Sequence, residues 1–186
     1  MFGLTLDEML DHKKRTGQHH PLRQTGKVAE LAFGYQGWLG AAKAFGMPGE
    51  DDELKRNILA WRDASPAVVH SWGGQQRKTR PGVWVTDYFG TEGMAVRAIL
   101  EPRKAFPVVR LDGTETGLVF ESFGGRLYLT LPSGRRLTYH APELGPSDRG
   151  GFSISYEGWN TNPKNGPKGW VRMNTWGGRL VENWNQ

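Results

Sequence analysis

The chain has 186 residues, of which 37% are hydrophobic, and its formal net charge at pH 7 is +5. It contains no cysteine, which excludes disulfides and thiolate metal sites. No apolar run approaches the roughly 20 residues that a membrane helix needs. The composition therefore predicts a cytoplasmic protein of one domain or two small subdomains, with an anionic partner and no membrane partner.

The first part of the sequence predicts four helices. Thr5 followed by Glu8 is a capping-box pattern at the start of the first helix, and Gly17 is a stop signal at its end. The segment at residues 34–50 is punctuated by glycine and predicts a turn. The helices are predicted over residues 4–17, from Leu22 to that segment, over 51–64 and over 66–72. The helix at 51–64 is predicted from an amphipathic pattern with apolar residues at Leu54, Ile58, Leu59 and Trp61.

After residue 80 the pattern changes to strands. GGQQRKTRPG, residues 73–82, is interpreted as a basic linker, VWVTDYF predicts a strand and TEGMAVRAILEP predicts a short helix. Beyond them, short apolar runs separated by turn signals such as Gly124-Gly125 predict antiparallel hairpins. The predicted fold class is α+β, with a helical part at residues 1–80 and a mostly antiparallel β part at residues 81–186.

Four side chains recur at spacings of four on the helix that begins at Leu22. Arg23, Lys27, Leu31 and Tyr35 form one slanted stripe, because steps of four on a helix drift by about 40° each. Two cations near the start of the stripe and a ring at its end suit a nucleoside triphosphate, with phosphates against the cations. Taken alone, the two cations are more often an ordinary solvated helix face.

Two glycines, Gly26 and Gly34, interrupt the same helix. Each indicates either a close approach of another group to the backbone or a helix end. The Gly26-Lys27 pair is not part of a P-loop, because Pro21 and Val28 stand where that motif needs glycine and Ser or Thr.

The C-terminal segment, residues 158–181, contains no Asp or Glu and alternates cations with tryptophans. Cations neutralise phosphates and flat rings stack on bases, so this segment is interpreted as a nucleic-acid surface. The alternative is a β-hairpin with its tryptophans packed inward and its lysines solvated. The residues concerned are Lys164, Lys168, Arg172 and Arg179, with Trp159, Trp170 and Trp176.

Three segments, in the same order along the chain, resemble family A DNA polymerases, and the bacteriophage branch in particular. RQTGKVAELAFGYQG resembles motif B, the fingers helix that receives the incoming nucleotide. LPSGRRLTYHAPEL, residues 131–144, resembles a palm segment downstream of it, and NTWGGRLVENWNQ, residues 174–186, resembles the TYGGKLVEN segment that follows. The middle, residues 73–124, matches poorly. The resemblance implies a helical fingers subdomain followed by a β-rich partial palm.

The resemblance also implies roles for individual residues. Arg23 and Lys27 would bind the triphosphate and act in catalysis by stabilising charge on the phosphoryl group. Tyr35 would stack beside the nascent base pair, and Leu31 would pack against the sugar of the bound nucleotide. The residues that would lie near primer-template DNA are Arg135, Arg136, Arg172, Arg179, Asn183 and Gln186.

The family's reaction uses two metal ions, expected to be Mg²⁺, held by carboxylates of motif A and motif C. The chain starts after the expected place of motif A and ends before that of motif C. VWVTDYFGTE imitates motif A with Asp87 and Glu92, but it follows motif B, and Phe89 stands where serine is expected. A surface strand end is the favoured interpretation of Asp87, so no metal ligand is assigned to this chain.

These observations predict one chain of a split DNA polymerase that binds dNTPs and primer-template DNA. Its partners would be other polymerase chains that carry motifs A and C. A truncated gene product would have the same sequence. The alternative function is that of a non-catalytic nucleic-acid-binding or scaffold protein of a replication complex.

Overall fold

The chain folds into two compact units, Met1–Val68 and Val69–Gln186. A computed structural model describes residues 4–80, 83–147 and 151–185, with residues 75–80, 83–87 and 165 described by their backbone alone. The first unit is helical, and the second combines helices with antiparallel sheets of two and six strands. The predicted α+β class is confirmed.

The helices of the N-terminal part begin and end close to the predicted signals. The capping box is present, because Thr5 Oγ1 accepts a hydrogen bond from the Glu8 backbone and Glu8 Oε2 accepts one from the Thr5 backbone at 2.7 Å. Gly17 closes the first helix with φ of 74°. The helices are α1 Leu6–Thr16, α2 Pro21–Phe33, α3 Leu39–Ala44, α4 Asp51–Ala64 and α5 Pro66–Trp72.

One short helix, α3, lies where only a turn is predicted. Its sequence, LGAAKA, is too short to show a helical period, and glycine precedes and follows it closely. Its Ala42 is fully buried. Tertiary packing, which no local signal reports, therefore stabilises this helix.

The second unit places two helices and a hairpin around a six-stranded antiparallel sheet in which neighbours along the chain are neighbours in space. The helices are α6 Gly90–Leu100 and α7 Gly177–Asn185. The hairpin pairs β1 Gly74–Arg80 with β2 Val83–Phe89. The strands of the large sheet are β3 Ala105–Val109, β4 Glu115–Phe123, β5 Arg126–Thr130, β6 Arg136–Pro146, β7 Phe152–Asn160 and β8 Gly169–Thr175.

The segment at residues 73–82 is not a linker as predicted. Residues 74–80 form β1, which pairs with β2 from Gly74↔Phe89 to Arg80↔Val83. Most residues of β1 are polar, so the sequence shows no alternation of apolar residues that would predict a strand. Backbone hydrogen bonds to β2 stabilise it instead. The Gly124-Gly125 turn is confirmed, with φ of 58° and 72° between β4 and β5.

The large sheet has one covered face and one open face. α6 contacts β3, β4, β5 and β6, and Leu180 of α7 joins the same buried core. On β5, Leu127 and Leu129 point into this core, whereas the alternate residues Arg126 and Tyr128 point to the opposite, open face. No helix in residues 4–80, 83–147 and 151–185 is long and apolar enough to cross a membrane.

Candidate functional site

Three of the four stripe side chains, Arg23, Lys27 and Leu31, lie on the solvent side of α2. The opposite side of the helix is buried through Val28, Ala29, Ala32 and Phe33. Arg23 and Lys27 are exposed, and Leu31 has an exposed fraction of 49%. The structure therefore leaves the first three stripe residues open to a ligand, each one helical turn from the next.

The fourth stripe residue, Tyr35, lies in a turn beyond the end of α2. Gly34 caps the helix, and its backbone N–H donates to the carbonyl of Glu30 at 2.9 Å. Gln36 follows with φ of 68°, a left-handed conformation. Tyr35 has an exposed fraction of 39%, so its ring is held at the end of the stripe by turn geometry and not by the helix.

Gly37 completes this turn by close approach to α2. A Cβ atom at this position would collide with the carbonyl oxygen of Ala32 and would lie 2.8 Å from the Cβ of Ala41. Only glycine allows the chain to return so closely over the last turn of α2. By contrast, apart from its chain neighbours and the backbone of α2 itself, no described atom lies within 4 Å of a Cβ built at Gly26, so no contact among the described residues explains that glycine.

Two side chains of α4 fix α2 and its turn in place. Trp61 Nε1 donates to Glu30 Oε1 at 2.9 Å, and the Trp61 ring meets Phe33 edge-on at 6.0 Å. The Arg62 guanidinium donates to the carbonyl of Gly37 at 3.0 Å and lies 5.0 Å from the centre of the Trp38 ring.

The sequence does not indicate that either of these α4 residues contributes to the site. Its pattern predicts only that Trp61 is an apolar residue of an amphipathic helix, and nothing near Arg62 distinguishes it from the other cations of α4. Together they hold the turn that carries Tyr35.

The two stripe cations carry free positive charge. Among the described side chains, no carboxylate forms an ion pair with Arg23 or Lys27. The charge of Arg23 lowers the pKa of His19, and desolvation and Lys13 lower it further. The start of α2 therefore has a positive potential suited to an anion, to which the exposed N-terminal end of the helix dipole adds.

The tryptophan-rich C-terminal segment forms the β7–β8 hairpin, but its rings do not pack inward. Trp159 pairs in register with Trp170, and their exposed fractions are 51% and 59%. Trp176, which precedes α7, is 42% exposed. The alternative in which the tryptophans pack inward is wrong. Trp159 and Trp170 alternate along their strands with less exposed residues, and Trp176 follows the buried end of β8.

The residues predicted to contact DNA do not form one cluster. Arg136, at the start of β6, lies on the open face with its guanidinium 5.5 Å from the centre of the Tyr128 ring. Arg135 precedes it in an exposed turn. Arg172 lies on the same face, but its guanidinium is paired with Glu143 at 3.1 Å and Glu157 at 3.7 Å, so its charge is largely neutralised within the chain.

The α7 residues lie on the other side of the sheet from that group. Asn183 Nδ2 donates to the hydroxyl of Tyr139 at 3.2 Å, and Tyr139 belongs to the buried core. Arg179 is exposed, with its guanidinium 5.8 Å from the centre of the Trp176 ring. Gln186 lies outside the described residues.

Glu92, in the segment VWVTDYFGTE that resembles motif A, has a structural role. Glu92 Oε2 accepts a hydrogen bond from the backbone N–H of Gly177 at 3.1 Å, at the N-terminus of α7. The side chain of Asp87 lies outside the described part of the chain. The described residues contain no group of three or more His, Asp and Glu side chains that could hold a metal ion.

Comparison with known proteins finds a bacteriophage polymerase. A DNA polymerase of Bacillus phage SP02 is 38% identical to this chain over 167 residues, which cover 88% of the chain and 22% of that polymerase. The chain thus spans about a fifth of the length of the relative it matches. No protein-family model matches the sequence, and no solved structure matches the chain. Similarity to a phage DNA polymerase is therefore confirmed, and membership of family A stays a prediction.

Proposed function

We propose that this chain supplies the nucleotide-binding helix and part of the DNA-binding surface of a family A DNA polymerase of bacteriophage type. The single observation that carries the proposal is the 38% identity to the phage SP02 DNA polymerase across 88% of the chain. Most of that polymerase's length has no counterpart in these 186 residues. In this proposal other polymerase chains supply the rest of the active site, and the enzyme works in the cytoplasm of the phage's host.

The proposed nucleotide site is the exposed stripe on α2. Arg23 and Lys27 lie one turn apart, form no ion pair with a carboxylate of the described residues, and would neutralise the triphosphate of a dNTP, including the charge that develops on the leaving pyrophosphate. Leu31, 49% exposed, offers an aliphatic surface to the sugar. Tyr35, in the turn that Arg62 and Gly37 hold, would stack beside the base pair.

The proposed enzyme uses Mg²⁺ bound by carboxylates of the other chains. Such ions position the attacking and leaving oxygens and offset their charge. The described residues of this chain do not offer a ligand set for them, so its own part is to bind and orient the triphosphate and the primer-template DNA.

Primer extension by the complete polymerase assembly, isolated from phage-infected cells, tests this function. Replacing one charge-stabilising group at a phosphoryl-transfer site costs about a hundredfold in rate, so Lys27→Ala is expected to lower single-nucleotide incorporation by about that factor. Lys55→Ala is the matched control, because Lys55 is a helix-surface cation already paired with Asp52 at 3.0 Å. Its incorporation rate is expected to equal that of the wild type.

The same experiment separates the nucleotide role from assembly. Size-exclusion chromatography is expected to show Lys27→Ala in the assembly at the wild-type level. An assembled Lys27→Ala enzyme that incorporates nucleotides at the wild-type rate would contradict the assigned role.

The exposed rings of Trp159 and Trp170 favour one second candidate, a non-catalytic nucleic-acid-binding protein of a replication complex. In that case the purified chain binds primer-template DNA with a steep salt dependence, and Lys27→Ala has no effect on DNA synthesis.

A further inference from the structure

The open face of the large sheet displays aromatic rings where a solvated sheet face would carry small polar residues. Trp159 on β7 and Trp170 on β8 are directly opposite each other, their ring centres are 6.0 Å apart, and both are more than half exposed. Leaving two such rings in water forgoes a large gain from burial. Exposed aromatic rings at one place on a surface mark an interaction site.

A second group of rings lies on the same face, on β4 and β5, with β6 between the two groups. Phe123 on β4 and Tyr128 on β5 stack with ring centres 4.5 Å apart. The Arg136 guanidinium lies 5.5 Å from the Tyr128 ring centre and 5.9 Å from that of Phe123. This group combines flat rings with a cation that is free to meet a phosphate.

His140 on β6 connects the two groups. Arg126 Nε approaches His140 Nδ1 at 3.3 Å, and the His140 ring meets the Trp170 ring edge-on at 5.5 Å. We define the aromatic strip as Phe123, Tyr128, Arg136, His140, Trp159 and Trp170. The strip crosses five strands, β4 to β8. The four spacings between these neighbouring strands add up to a strip length of about 19 Å.

The charges that flank the strip on the sheet face balance, and the excess positive charge comes from the β7–β8 loop beside its tryptophan end. Glu157, which pairs in register with His140, and Glu143 are both bound by Arg172. At the other end of the strip, Glu121, which pairs in register with Tyr128, contributes one negative charge, whereas Arg126 and Arg136 contribute two positive charges. The loop from β7 to β8 adds the exposed side chains of Lys164 and Lys168 beyond the tryptophan end.

We propose that the aromatic strip binds single-stranded DNA by stacking bases on its rings and pairing phosphates with Arg136 and with the cations beside the strip. Rings next to cations suit the bases and phosphates of a single strand, whereas a duplex hides the base faces. Protein interfaces are also rich in aromatic residues and Arg, but they are depleted of Lys, so the exposed Lys164 and Lys168 beside the strip favour a nucleic acid. The choice of DNA over RNA rests on the proposed polymerase function, whereas the choice of a single-stranded nucleic acid rests on the arrangement of rings and cations.

Fluorescence anisotropy of a labelled oligothymidine of about 12 nucleotides, titrated with the full chain at low salt, tests the proposal. The Trp159→Ala/Trp170→Ala variant is expected to bind at least about tenfold more weakly than the wild type, since stacking of a base on one ring contributes this much. Phe45→Ala is the control, because Phe45 is 52% exposed and lies outside the sheet. It is expected to bind as the wild type does.

A salt titration tests the cations separately. Arg136→Ala is expected to reduce the slope of log affinity against log salt by about 0.7, the value of one phosphate contact on a single strand. Lys104→Ala is the control, because Lys104 is an exposed cation paired with Glu101 at 2.9 Å. Thermal melting followed by circular dichroism is expected to show all four variants folded, since each replaced side chain is exposed.

Three results would overturn the proposal. They are the absence of oligothymidine binding by the wild type, equal binding by the double tryptophan variant, and tighter binding of a duplex of the same length. Loss of a co-purifying protein by the double variant with unchanged oligothymidine binding would assign the strip to a protein interface instead. Because binding to the strip does not require nucleotide incorporation, a wild-type rate for Lys27→Ala would refute the nucleotide role without affecting these measurements.

Discussion

Gly37→Ala probes the turn that carries Tyr35 at the end of the nucleotide stripe. The new Cβ would collide with the carbonyl oxygen of Ala32, and it would lie 2.8 Å from the Cβ of Ala41. Overpacking of this kind costs about 1–3 kcal/mol. We expect a value near 3 kcal/mol, because the obstructing atom belongs to the backbone of α2 and cannot rotate away. Movement of the turn would also lengthen the hydrogen bond from Arg62 to the Gly37 carbonyl, now 3.0 Å.

Urea denaturation followed by tryptophan fluorescence measures this loss, since Trp38 and Trp61 lie in the same helical unit. Gly40→Ala is the matched control. Gly40 is on α3, no atom lies within 4 Å of a Cβ built there, and alanine is expected to stabilise the helix by up to about 1 kcal/mol. If the two variants unfold at the same urea concentration, the steric explanation of Gly37 is refuted.

Two further predictions concern stability. Gly26→Ala is expected to raise the free energy of unfolding by about 1 kcal/mol, because Gly26 lies within α2 with no atom near a Cβ built there; a lower thermal midpoint would contradict this. Burial raises the pKa of Tyr139 to about 12, although the hydrogen bond from Asn183 acts to lower it. Because this pKa is higher in the folded than in the unfolded protein, its contribution to the free energy of unfolding is fully present below the unfolded pKa near 10. As the pH rises from there towards 12, about 2–3 kcal/mol of that contribution is lost. Thermal melting from neutral to alkaline pH is expected to show this loss, and the loss is expected to be smaller in Tyr139→Phe; an identical alkaline loss in the variant would refute the assignment to Tyr139.

Local signals predicted most of the elements. Thr5 and Glu8 mark the start of α1, and α4 covers the predicted residues with Leu54, Ile58 and Trp61 buried as their spacing indicates. Leu59, which the same pattern included, is instead 51% exposed. Short apolar runs separated by turn signals likewise predicted the strands of the large sheet. Such signals succeed because capping and amphipathic periodicity depend on residues only a few positions apart.

Where partners are distant in the sequence, prediction failed. β1 carries no apolar alternation and exists through its pairing with β2. α7 lies in a segment interpreted as β structure, and the backbone N–H of its first residue, Gly177, donates to Glu92, a residue 85 positions earlier. Arg62 reaches the Gly37 carbonyl across 25 positions. No window of local sequence contains both members of these pairs.

The sequence by itself determined the α+β class, the places where most helices begin and end, and the helical stripe of Arg23, Lys27 and Leu31, whereas Tyr35 lies in a turn beyond α2. It also determined the similarity to phage DNA polymerases, because that similarity is a property of residue identity alone. Only the tertiary structure decided which groups remain available to ligands. It pairs Arg172 with two carboxylates, places Asn183 against the buried Tyr139, and leaves Trp159 and Trp170 exposed on the open face. The reason is that the exposed fraction of a side chain and the pairing of its charge depend on the residues that the fold places next to it. Its neighbours in the sequence do not specify those residues.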